Sequence, residues 1–289
     1  MTVKVHLNGA VCDQEDARVS VFDRGFLYGD SVYEVMRTSG GRPVELLAHL
    51  GRLSRSAHAL ALDIPSRTEL ISAVEDTLEA SGNPESYVRI VVTRGSGEVG
   101  LDTALADSSN LIVIVKDLTL PPEDSDENGV RIAIVGVQRT PKKSVDPSVK
   151  SGNYLNNILA LQEAKRAGAY ECLMCNAEGQ VAEGSSSNIF CVKGGVLVTP
   201  PLHVGLLAGI TRERVLRLAN DVNVSTKEGT LWPDDIRNAD EVFITSSIRG
   251  VVPVRDVDGK AIGTKAPGPI TKRLMDSYAE FLGEVALGK

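Results

Sequence analysis

Apolar positions along this chain recur with two periods, and the switches between them mark its elements. Residues 3–7 alternate and end at Asn8-Gly9, a dipeptide suited to the positive φ angles of a two-residue hairpin turn. Residues 32–38 read as a second strand, and Gly40-Gly41 turns it back. From 45 to 62 the period lengthens: Leu46, Leu47, Leu50, Leu53, Ala57 and Leu60 recur at three and four, which predicts an amphipathic helix. Ser66 and Glu69 form a capping box ahead of a second helix carrying Leu70, Ile71, Val74 and Leu78, and Gly82 stops it. Strands over 87–95 and 110–116 complete a first half of mixed helix and strand.

The stretch 119–129, TLPPEDSDENG, is acidic and carries two prolines, which predicts an interdomain linker. The expected division is therefore a small N-terminal α+β domain over 1–118, the linker over 119–129, and a larger domain over 130–289. The second half opens with a strand at 130–137. A helix then runs from about 153 to 168, with Leu155, Ile158, Leu159 and Ala164 on one face. Short strands follow in YECLMCN, GQVAEG, SNIFCVK and GVLVTP, then a helix over 210–221, strands at 242–247 and 251–259, and a last helix from about 269. Strands and helices mix without a regular βαβ alternation, so the fold class is α+β rather than a doubly wound sheet.

Composition narrows the class. With 289 residues, 42% hydrophobic and 24% charged, the chain can build one large or two smaller domains with real cores. A net charge of −7 argues against a nucleic-acid or anionic-membrane partner. No apolar run is long enough to span a bilayer, and the first ten residues, MTVKVHLNGA, lack the apolar stretch of a signal peptide. Four cysteines do not make a disulfide framework, and the expected compartment is cytoplasmic. Cys172 and Cys175 sit three apart on a strand-like run, so they point to opposite faces, and the four histidines are scattered; no metal site is expected.

The chemistry concentrates between 150 and 211, in VKSGNYLNN, VAEGSSSNIF and LAGITRERVLRLA. A lysine (Lys150), a carboxylate (Glu183) and a glycine-led helix start are the groups needed to hold an aldehyde cofactor bearing a phosphate and a pyridine nitrogen. That cofactor is pyridoxal 5'-phosphate. The lysine amine condenses with the aldehyde, the carboxylate pairs with the pyridine nitrogen, and the helix start offers N–H groups and a positive dipole end to the phosphate.

These motifs, together with DRGFLYGDSVYE near the start and EVFITSS and VVPV near the end, resemble the class IV (fold type IV) pyridoxal-phosphate-dependent aminotransferases. That group holds branched-chain aminotransferases, D-amino-acid aminotransferases and aminodeoxychorismate lyases. The resemblance implies a two-domain fold and a homodimer. It makes Lys150 the Schiff-base lysine and proton shuttle, and Glu183 the partner of the pyridine nitrogen. Arg52, Ile210, Thr211 and Ser247 become phosphate binders, and Tyr154 a neighbour of the cofactor ring. A solvated helix face remains the alternative for Arg52.

For substrate, Tyr87 and Arg89 resemble the Tyr-x-Arg of branched-chain enzymes, with Tyr33 and Arg37 in the same pocket; a packed core ion pair is their alternative. Ile248 and Arg249 fall in the segment where that family receives the substrate carboxylate. Arg249 either binds a carboxylate there or makes a surface salt bridge. Residues 96–102 read SGEVGLD, without the Arg-x-His of D-amino-acid enzymes. The expected reaction is ping-pong transamination of L-amino acids of the branched-chain type with 2-oxoglutarate, amino and keto acids being the partners. The alternatives are an aminodeoxychorismate lyase releasing pyruvate and a D-amino-acid or (R)-amine transaminase.

Overall fold

Residues 3–106, 108–120 and 125–289 are described by a computed structural model of the chain. They fold as two units. The first comprises Met1–Thr119, Val149–Asn153 and Leu282–Lys289; the second comprises Leu120–Ser148 and Tyr154–Phe281. Two short segments distant in sequence, one of them carrying Lys150, thus belong to the first unit, which a division at 119–129 alone does not anticipate. Within that expected linker, 121–124 lie outside the described residues.

The first unit contains β1 (Lys4–Leu7), β2 (Ala10–Asp13), α1 (Arg24–Tyr28), β3 (Ser31–Ser39), β4 (Arg42–Pro43), α2 (Leu46–Ala59), α3 (Arg67–Ser81), β5 (Ser86–Thr93) and β6 (Asn110–Asp117). The strands form one antiparallel sheet in the order β2-β1-β6-β5-β3-β4. The hairpin at Asn8-Gly9 has both φ angles positive, at 49° and 98°, as its twist requires. Ser66 caps α3 with the reciprocal Glu69 bond, and Gly82 closes it. Alternation along β3 and β5 sends Val32, Met36, Val88, Ile90 and Val92 into a core with Leu50, Leu53, Leu70 and Val74 from the helices. The same alternation puts Tyr33, Val35, Arg37, Tyr87, Arg89 and Val91 on the opposite face, where Val35 pairs with Arg89 and Arg37 with Tyr87. That polar and aromatic face is what the two-residue period contributes to function.

The second unit contains α4 (Ser125–Asn128), β7 (Val130–Ile134), α5 (Leu155–Arg166), β8 (Glu171–Cys175), β9 (Val181–Glu183), β10 (Asn188–Lys193) and β11 (Val196–Thr199). It continues with α6 (Ile210–Asp221), β12 (Thr226–Glu228), α7 (Pro233–Arg237), β13 (Glu241–Ser246), β14 (Gly250–Val257), β15 (Lys260–Ala261) and α8 (Pro269–Ala286), whose end from 282 lies in the first unit. Its mixed sheet runs β12-β11-β10-β13-β14-β7-β8-β9, with β15 beside β14. Phe190 and Phe243 stack at 4.9 Å between neighbouring β10 and β13, both fully buried. Cys172 and Cys175 do point to opposite faces of β8, into two different apolar clusters, and all four cysteines are free thiols.

Two expectations need correction. Residues 125–128, placed in the linker, form α4, which packs near β14 and buries Ser125. In α5 the four residues grouped on one face do not stay together: Leu155, Ile158 and Leu159 are 63%, 49% and 47% exposed, whereas Ala164 faces inward with Asn157 and Ala160. Small residues let the helix lie close to β7 and β8, and Asn157 is admitted because its amide bonds the Ser185 carbonyl at 2.8 Å. No helix among the described residues is long and apolar enough to cross a membrane.

Leu53 is fully buried between α2 and the sheet. Leu53→Ala should lower unfolding stability by roughly 2–5 kcal/mol, whereas Ser66→Ala, which removes one cap bond, should lower it by only about 1 kcal/mol. Urea unfolding of the two variants beside the parent measures both.

Candidate active site

Lys150 is fixed through its backbone. Its carbonyl accepts the Tyr33 N–H at 3.0 Å, its own N–H donates to Ser56 Oγ on α2 at 3.0 Å, and Gly152 N–H donates to Ser31 O at 2.9 Å. The segment thus lies along the edge of β3 like a short extra strand. Its half-buried Nζ stands 3.3 Å from Tyr33 Oη and 4.4 Å from the ring centroid. Arg89 stacks on the same ring at 4.2 Å. Among the described residues Arg89 has no hydrogen bond or ion pair, so the packed core ion pair considered for it is not what forms. Lys116 stacks on Tyr87 at 5.1 Å, and Arg37 Nε donates to the Thr38 carbonyl at 3.1 Å.

Behind this face, on the core side of β3, lies a charge cluster. Glu34 is completely buried and receives Arg52 Nε and Nη2, each at 2.7 Å, and His49 Nδ1 at 2.6 Å. Burial pushes the Glu34 carboxyl upward, but the Arg52 guanidinium and His49 override it and hold the group at about 2. His49 moves down from its ordinary value because burial outweighs the pull of Glu34, with Arg52 and Lys150 adding to the depression. Arg52 is therefore not on a solvated helix face: it is 5% exposed and oriented by a carboxylate on the neighbouring strand. Glu34 and His49 were not singled out in the sequence. Two signals pointed to them: Glu34 shares the parity of Val32 and Met36, and His49 precedes Arg52 by three on one helical face.

The second unit gathers a different set. Glu183, at the end of β9, accepts Arg139 Nε at 2.7 Å on one oxygen, and on the other Leu207 N–H at 3.1 Å and Asn188 Nδ2 at 3.4 Å. Asn188 also donates to the Leu207 carbonyl at 3.0 Å. The carboxylate and the amide together fix the strand of chain that leads into α6. Gly209 is the N-cap of α6 and supplies no side-chain cap; a Cβ there would lie 1.9 Å from Asn188 Oδ1. The first-turn N–H groups, those of Ile210 and Thr211 among them, point out of the helix start as a cradle for an anion. Ser247 and Ile248 occupy the half-buried turn after β13. Thr245, which pairs with Asn188 across the sheet, has a buried hydroxyl with no partner among the described residues. Tyr154 is the half-buried N-cap residue of α5, and its carbonyl accepts Ile158 N–H. Arg139, Asn188 and Thr245 escaped the sequence reading, Arg139 because an isolated arginine in VQRTP carries no pattern at all.

Arg249 is half-buried and ion-paired within the chain. Its Nη2 lies 3.1 Å from Glu171 Oε2 and 3.0 Å from Ser186 Oγ, and its Nε donates to Ser246 Oγ at 3.0 Å.

A lysine amine backed by a tyrosine, a buried carboxylate held by an arginine, and an uncapped helix start whose glycine cannot carry a side chain are now in place. The model of the amino-transferase class IV family matches residues 31–257. The chain belongs to the class IV aminotransferases. It is 41% identical to a putative branched-chain-amino-acid aminotransferase of Methanocaldococcus jannaschii over 96% of both chains. It is 34% identical to a D-alanine aminotransferase of Bacillus licheniformis over 98% of this chain and 99% of that one. Among solved structures, the branched-chain aminotransferase of Thermoproteus uzoniensis with norvaline superposes with a TM-score of 0.91 at 33% identity, covering 100% of this chain and 96% of that one. This class IV aminotransferase therefore has the α+β architecture of fold type IV, as its sequence implied.

The Glu34 cluster sets an acid limit. Its folded value of about 2 lies below the ordinary 4.5, so its stabilisation is fully present above pH 4.5 and is lost as pH falls toward 2. That loss amounts to something on the order of 3 kcal/mol. His49, which must charge as pH falls, adds a loss that begins below 6.5. Denaturant unfolding at pH 4.5 and pH 3 should show the fall in the parent protein and a flatter dependence over that window in Glu34→Gln.

Proposed function

We propose that this aminotransferase uses pyridoxal 5'-phosphate to transaminate L-amino acids of the branched-chain type, with 2-oxoglutarate as amino acceptor, by a ping-pong mechanism. The observation that carries the reading is Lys150 Nζ set 3.3 Å from Tyr33 Oη beside an arginine, Arg89, that has no carboxylate of its own among the described residues. The residues present fit the cofactor. The α6 start with its side-chain-free Gly209, and the hydroxyls of Ser247 and the orphaned Thr245, suit a phosphate; the Glu183 carboxylate suits a protonated ring nitrogen. When bound, pyridoxal phosphate supplies an aldehyde for the amino group and a ring that absorbs the electron pair left by the departing α-proton.

The roles of this chain's residues follow. Lys150 Nζ takes the α-proton from the substrate, and Tyr33 Oη keeps the amine on that line. Glu183 is held by Arg139 for the ring nitrogen, and Ile210, Thr211, Ser247 and the Glu34-braced Arg52 bind the phosphate. Tyr154 lies beside the ring. On the first unit's outer sheet face, Val35, Val91, Tyr33 and Tyr87 offer apolar walls to a branched side chain, while Arg37 and Arg89 offer cations to a carboxylate. One face with both characters suits a pair of half-reactions in which an aliphatic amino acid and a dicarboxylate keto acid take turns.

A D-amino-acid specificity is the second reading, favoured by the D-alanine relative and opposed by the absence of Arg-x-His in 96–102. The enantiomer accepted decides between them. We also assign the enzyme to a homodimer: Phe22, Phe26, Val99 and Leu101 in the first unit, and Leu155 and Ile158 on α5, are large apolar side chains left in water, which a second copy of the chain would cover.

Lys150→Ala should reduce L-leucine/2-oxoglutarate turnover by at least about 10³-fold while leaving the fold intact. A coupled glutamate-formation assay and a far-ultraviolet spectrum check both halves, and full turnover in this variant would sink the assignment. Light scattering should give twice the chain mass of 30.8 kDa.

A further inference from the structure

The turn between Glu183 and Asn188 is built around a buried carboxylate that belongs to neither. Glu171, on β8, is 1% exposed. Its Oε1 accepts the N–H groups of Cys172 and Ser185, both at 3.0 Å, and the Ser185 hydroxyl at 2.5 Å. Its Oε2 accepts Arg249 Nη2 at 3.1 Å, with the hydroxyls of Ser187 and Ser186 at 3.3 and 3.4 Å. The turn closes through Gly184 N–H to the Ser187 carbonyl, and Gly184 has no room for a side chain, since a Cβ would lie 2.4 Å from Ser187 Oγ. Three successive serines therefore wrap one carboxylate, and the chain enters that wrap from Glu183 and leaves it at Asn188.

Arg249 reaches this carboxylate from another turn. Its Nη2 also bonds Ser186 Oγ at 3.0 Å and the Ser186 carbonyl at 3.3 Å, while its Nε and backbone N–H both donate to Ser246 Oγ, at 3.0 and 3.3 Å. The guanidinium thus straps the 246–249 turn to the 184–187 turn. Both turns lie where β10 and β13 pair, at Asn188 opposite Thr245. Burial pushes the Glu171 carboxyl upward, yet Arg249 and Ser185 more than offset it and keep the group below its ordinary range. A buried carboxylate stripped of its cation would be left uncompensated.

We propose that Arg249 is a positioning residue for the cofactor: through Glu171 it fixes the turn that presents Glu183 and Asn188, and through Ser246 it fixes the turn that presents Ser247. In this arrangement its Nε and Nη2 serve Ser246, Glu171 and Ser186 rather than a substrate carboxylate. This inference rests on the assignment of Glu183 and Ser247 to pyridoxal phosphate.

Arg249→Met, Arg249→Lys and the double variant Glu171→Gln/Arg249→Met test it against the parent, the double variant removing the uncompensated charge in case Arg249→Met does not fold. Arg249→Met, or the double variant in its place, should weaken pyridoxal phosphate binding to the apoprotein at least about 10-fold, the worth of one charge-assisted hydrogen bond. It should also displace the pH titration of the bound cofactor's absorbance. Arg249→Lys, which keeps the charge at Glu171, should recover most of that loss. Two results overturn the proposal. One is a lowered melting midpoint with cofactor affinity and absorbance titration unchanged, the mark of a merely structural pair. The other is a KM for both amino and keto acid raised more than about 10-fold at unchanged kcat, one lost charged contact to a substrate carboxylate. If the parent protein itself binds no pyridoxal phosphate, the functional reading fails first, and that is visible without any Arg249 variant.

Discussion

A carboxylate removed from water has to be met by a cation and by hydrogen-bond donors, or it gives up its charge. Three of the carboxylates buried in this enzyme each have their own arginine: Glu34 with Arg52 in the first unit, and Glu183 with Arg139 and Glu171 with Arg249 in the second. In each pair the carboxylate sits on a strand and fixes an arginine brought by another segment. The first brings a helix, α2, to β3. The second sets the chain that enters α6. The third ties two turns together. Compared with an apolar replacement of the same shape such pairs add little stability; what they contribute is a fixed geometry, because a misplaced partner leaves a bare charge in a dry interior.

Beside those pairs, the working groups are held by backbone rather than by side-chain packing. Lys150 is paired along β3, and the α6 start is presented through Leu207, bonded by both Glu183 and Asn188. Backbone pairing has little rotational freedom, so it fixes the lysine root and the helix start.

Local chemistry was readable in the sequence wherever a few adjacent residues decide the outcome. Ser66 with Glu69, Gly82, Asn8-Gly9 and the glycine-led start at Ile210 each state a backbone requirement in their own residues, and the structure has each where the sequence put it. What escaped was pairing across distance. Arg139 meets Glu183 over 44 positions, and nothing near either residue announces the other. Arg249 meets Glu171 over 78 positions, again with nothing near either residue to announce the pairing. Periodicity failed in α5 for a different reason. It reports where apolar residues lie, not whether they pack within the chain, and here the small face packs inward while the leucine-rich face points outward.

The most direct test is an absorbance titration of the pyridoxal-phosphate-loaded protein, first with L-leucine and then, on fresh protein, with D-alanine. L-leucine should convert the bound cofactor to its pyridoxamine form, and 2-oxoglutarate should restore the original band; D-alanine should leave it unchanged. Conversion by D-alanine alone, or no conversion by L-leucine in a protein that holds the cofactor, would contradict the assignment of this sheet face and its arginines to branched-chain L-amino acids.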